Sequence, residues 1–137
     1  MLEEYLVTYC SPTLAALKTA NMFNWSFRSQ KEQRQQIKSW NEQLSPKGIS
    51  ITVLREGEEK ALLYVYRKKR LERDLKRSEV AEFLRQRGYE NLEPEQALKR
   101  LKERFSPGGE FPHEIGLFLG YPLEDVQGFI ANQGKNS

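Results

Sequence analysis

Ile49-Ser50-Ile51-Thr52-Val53-Leu54, then Arg55-Glu56-Gly57-Glu58-Glu59, then Ala61-Leu62-Leu63-Tyr64-Val65-Tyr66 is the stretch that decides the fold class. Two runs rich in β-branched and aromatic residues flank a charged turn that contains glycine. That arrangement predicts a β-hairpin, with strands over Ile49–Leu54 and Ala61–Tyr66. Upstream, Phe23, Trp25 and Phe27 alternate with smaller or polar residues in Asn21–Phe27, the period of a strand with an aromatic face. Between these strands lies a helix. Ser29-Gln30-Lys31-Glu32 has the form of a capping box, in which serine and glutamate satisfy each other's backbone donors. The helix it opens runs to Leu44 with an apolar stripe of Ile37, Trp40 and Leu44, and Ser45-Pro46-Lys47-Gly48 stops it.

The N-terminal segment is harder to assign. Tyr5-Leu6-Val7-Thr8-Tyr9 is apolar and β-prone, with a helical turn as the equal alternative. Ser11-Pro12 reads as a helix start, serine at the N-cap and proline at the first helical position, giving a brief helix from Pro12 to about Thr19 with Leu14 and Leu17 inward.

Beyond Arg67 the apolar spacing becomes helical. Leu71 and Leu75 lie four apart, and Val80, Phe83 and Leu84 mark a helix capped by Ser78 and ended by Gly88. Pro94 opens a helix carrying Ala97, Leu98, Leu101 and Phe105, and Ser106-Pro107-Gly108-Gly109 reads as a linker. A short helix is expected from Pro112 to Leu119, broken at Gly120, and a last one from Pro122 to near Gly134. The expected fold is α+β: a small antiparallel sheet of about three strands with one long covering helix (residues 1–66), followed by a helical C-terminal half (residues 67–137), in a single domain. No internal repeat or low-complexity tract interrupts it.

At 137 residues, 38% hydrophobic and 30% charged, the chain is long enough to bury a core and lies well away from disordered compositions. No stretch reaches the roughly twenty apolar residues of a membrane span, so no membrane association is expected. Met1-Leu2-Glu3-Glu4-Tyr5 carries acids where a signal peptide carries Lys or Arg, and a cytoplasmic location follows as the expectation. One cysteine, Cys10, excludes an internal disulfide and a multi-cysteine zinc site, and one histidine, His113, excludes histidine-rich metal motifs. The residues name no cofactor and no metal. The net charge of +3 is unevenly spread: residues 67–105 hold 13 Lys/Arg against 8 Asp/Glu, whereas residues 106–137 hold 1 against 4. Attraction to a polyanion must therefore come from the middle of the chain.

Three stretches together carry a resemblance. They are Cys10-Ser11-Pro12-Thr13-Leu14-Ala15 leading to Lys18-Thr19-Ala20-Asn21; Leu63-Tyr64-Val65-Tyr66-Arg67; and Phe111-Pro112-His113-Glu114-Ile115-Gly116-Leu117-Phe118-Leu119-Gly120-Tyr121-Pro122 with Asp125-Val126 and Gly128-Phe129-Ile130. In this order they resemble an uncharacterised bacterial family, domain of unknown function 3793, along essentially the whole chain. The family has no assigned reaction. The resemblance implies a setting in iron or redox metabolism, through neighbouring iron-uptake and flavodoxin genes. Two departures stand out. Tyr9 occupies a position where family members often have histidine, and members usually continue past the segment matching Gly134-Lys135-Asn136, whereas this chain ends at Ser137.

Two residues are candidates for chemistry. Cys10, read as preceding a helix N-terminus, has free amides and a dipole that favour a thiolate, hence a nucleophile, redox thiol or metal ligand. The competing account is a buried apolar residue beneath the first helix. His113 is a candidate base, iron or haem ligand, or partner of Cys10; structurally, its ring can cap a turn or bond Glu114. The run Arg67–Arg77 holds seven basic residues in eleven, with Arg67, Lys68, Lys69, Arg70 and Arg73 as candidate phosphate contacts. Glu72 and Asp74 interrupt it, and Leu71 and Leu75 give it a buried side, so a solvated helix face is the alternative. Ile115–Ile130 has the spacing of a helix-turn-helix, but Glu124 and Asp125 stand where phosphates would approach, which opposes DNA docking. Pro107-Gly108-Gly109 follows a helix and lacks the lysine of a phosphate-binding loop.

Three functional readings follow. The first is a non-enzymatic accessory or binding protein for a small ligand or protein partner, linked to iron or redox metabolism, with a groove between the sheet and the C-terminal helices. The second is a small thiol-dependent enzyme or redox protein using Cys10 with His113. The third is a nucleic-acid binder acting through Arg67–Arg77.

Overall fold

The computed structural model describes residues 2–15, 18–105 and 111–128, and the chain divides into two compact units, Met1–Arg70 and Leu71–Ser137. In the first unit three antiparallel strands form one sheet in the order β1-β3-β2, with β1 over Ala20–Ser26, β2 over Ile49–Glu56 and β3 over Lys60–Arg67. The expected strands are thus present within one or two residues at each end, and the α+β class holds. Central β3 pairs Leu63 with Phe23 on one side and with Val53 on the other. A bulge between Val53 and Arg55 leaves the buried Leu54 without an opposite partner.

Helix α2 (Gln30–Leu44) packs on β2, and its N-cap shows the serine half of the expected capping box: the Glu32 amide donates to the Ser29 hydroxyl at 3.1 Å. Ile37 and Trp40 pack at the edge of the core that Leu44 enters. The β2 strand is a sheet edge, and α2 protects it. The Asn41 side chain accepts from the Ile51 amide at 2.7 Å and donates to the Ile51 carbonyl at 3.0 Å, taking the place of a neighbouring strand.

The N-terminal segment differs from its reading. Helix α1 spans Leu2–Leu14, so the residues expected as a strand or single turn are helical, and Pro12 lies inside the helix. The reason is a stripe at helical spacing: Leu2, Leu6, Cys10 and Thr13 are all buried, three of them against β1 and β3 in the core with Trp25, Leu63 and Val65. Burial of that face outweighs the β preference of Tyr5–Tyr9. The sheet is accordingly covered by two helices on this face, α1 beside α2. Pro12 offers no amide to the Thr8 carbonyl, and the neighbouring Ser11 hydroxyl donates to the Val7 carbonyl. Arg67 closes the far end of α1: its guanidinium donates to the carbonyls of Thr13 at 2.8 Å and Leu14 at 2.9 Å, two of the acceptors a helix end leaves open.

Helix α3 (Lys68–Leu75) continues directly from β3, and α4 (Ser78–Arg85), α5 (Pro94–Arg104) and α6 (Ile115–Phe118) follow. Two caps depart from expectation. Arg77, not Ser78, is the N-cap of α4, and the helix expected from Pro112 is a single turn beginning at Ile115. The glycine stops hold. Gly88 and Gly120 have φ of 90° and 94°, and each is followed by the backbone bonds of a Schellman cap, Tyr89 amide to Leu84 carbonyl and Tyr121 amide to Gly116 carbonyl. Residues 123–128 are helical after Pro122. The linker Ser106–Gly109 and the expected helix end near Gly134 lie outside the described residues.

Candidate functional site

Cys10 is fully buried in the third turn of α1. The expectation that it precedes a helix N-terminus is therefore corrected. The open amides of α1 lie at its first turn, with Glu3 and Glu4, and the dipole does not address the sulfur. Burial pushes the Cys10 thiol up to about 12, against a smaller opposing pull from the Lys18 cation. At neutral pH the group is a protonated thiol within an apolar core.

His113 is exposed, in the turn that leads to α6. It belongs to the Leu71–Ser137 unit, whereas Cys10 belongs to Met1–Arg70. Among the described residues no three His, Cys, Asp or Glu side chains gather as a metal-binding group.

The basic run is divided in its use. Arg67 is committed to backbone carbonyls, including that of Lys47 at 3.3 Å. Asp74 lies 4.0 Å from Arg73 and 3.8 Å from Arg77, and Lys76 contacts Glu93 at 3.0 Å and Glu72 at 3.7 Å. Lys68 and Lys69 are exposed and Arg70 is half-buried. The local acids thus offset much of the positive charge, as expected of a solvated helix face.

The second unit contains a polar cluster that sequence reasoning missed. Glu114, offered by the sequence as a partner for the His113 ring, instead faces inward and is fully buried. Its carboxylate accepts from the Tyr89 hydroxyl at 2.9 Å and from Arg104 through both oxygens, Nε to Oε2 and Nη2 to Oε1, the latter at 3.2 Å. Burial alone would raise its pKa, but the Arg104 bonds and that of Tyr89 hold it below the ordinary carboxylate value. Tyr89 is pushed up by burial and by the facing carboxylate. Each member comes from a different place: Tyr89 from the cap of α4, Arg104 from the last turn of α5, Glu114 from the turn before α6. Tyr89 also packs against Phe118, ring centroids 5.8 Å apart. The arrangement can lock these three elements together. The only local signal was an acid next to an apolar run, which reads equally well as a helix cap.

An open groove of about 700 Å³ runs along the outer edge of β2, lined by Lys38, Asn41, Glu42, Ser50, Thr52 and Tyr66 among others. Its lining mixes both charges and hydroxyls with the apolar surface of Pro46, Ile51 and the Tyr66 ring, in comparable parts. The acidic pair Glu124 and Asp125 is exposed at the start of helical residues 123–128, the place where a helix-turn-helix would meet phosphates. No helix among the described residues is long and apolar enough to cross a membrane.

Residues 6–137 match the family model described as Protein of unknown function (DUF3793). No curated protein and no solved structure matches the chain.

Proposed function

The chain belongs to this family of unknown function, so its functional reading rests on its own geometry, and we propose that it is a non-enzymatic binding or accessory protein of the bacterial cytoplasm. The observation that carries this reading is the burial of Cys10, whose thiol is pushed up to about 12. A thiol enzyme needs an accessible sulfur with a thiolate fraction at working pH, and burial acts against both. The neighbourhood implied by the family resemblance supports a partner in iron or redox metabolism. The groove beside β2, lined by polar and apolar side chains together, supports a small ligand or a protein segment as the occupant.

The test is alkylation of Cys10 across pH in the native and denatured protein. Negligible native labelling at neutral pH, with full labelling after denaturation, is the expected result. Rapid native labelling with an apparent pKa below about 8.5 would restore the thiol-enzyme reading and remove this one. Anaerobic purification from the native host, with absorbance spectrum and metal content, then identifies what the protein carries.

A further inference from the structure

We draw no further inference here: the strongest candidate, the open groove between the C-terminal half of α2 and the outer edge of β2, belongs to the site already described, and its exposed Lys38 and Glu42 beside Pro46, Ile51 and Tyr66 select no class of ligand.

Discussion

Replacing Arg104 with methionine should reverse the pH dependence that Glu114 contributes to stability. In the wild-type protein the carboxylate is fully buried and is held ionised by Arg104 with help from Tyr89. Its folded pKa lies below the ordinary value of 4.5, so its contribution is present above about pH 4.5 and is lost as pH falls through the folded pKa. Without the guanidinium, burial becomes the dominant influence and the folded pKa rises above the unfolded one. The contribution is then retained below pH 4.5 and lost as pH rises towards the new folded pKa. Removing one partner of a buried pair costs about 3–5 kcal/mol. The Arg104 side chain is 32% exposed, which allows water to solvate part of the site and places the expected loss near the lower end, about 3 kcal/mol at pH 7. With a urea slope of about 1.5 kcal/mol/M, the unfolding midpoint should fall by about 2 M. Urea titrations followed by far-UV circular dichroism at pH 7 and pH 4.5 measure both effects. Arg104→Met combined with Glu114→Gln should recover part of the loss and abolish the reversed pH dependence. A single variant within about 0.5 kcal/mol of wild type at pH 7, with an unchanged pH profile, would refute the reasoning.

Two further outcomes follow from the packing. Asn41→Ala removes both bonds to the Ile51 backbone and should cost about 1–3 kcal/mol, with faster hydrogen exchange at the Ile51 amide as the local sign. Gly116→Ala would place a methyl 2.9 Å from the Val126 side chain, so a loss of about 1–3 kcal/mol in thermal or urea unfolding is expected, relieved when Val126 is also shortened to alanine.

Sequence and tertiary structure divided the molecule along a physical line. Residues 20–67 were readable because each element there states its own period: Phe23, Trp25 and Phe27 alternate, Ser29 and Glu32 cap, and a glycine-bearing turn separates two β-rich runs. The Gly88 and Gly120 stops were likewise readable, since a left-handed residue in a helix cap favours glycine whatever surrounds it. These are local constraints, settled within a few neighbours along the chain. What only the tertiary structure decided depends on distant partners. Tyr5–Tyr9 became helical because Leu2, Leu6 and Cys10 found a sheet to cover, and that same burial turned a candidate nucleophile into a protonated core thiol. Arg67 left the candidate phosphate contacts because the end of α1, more than fifty positions earlier, offered it carbonyls. Glu114 found its counter-charge ten residues away and its phenol twenty-five away, and no spacing in the sequence announces such a pair. Propensity and capping act within a turn or two. Burial, and the charges it brings together, are determined only when the chain has folded.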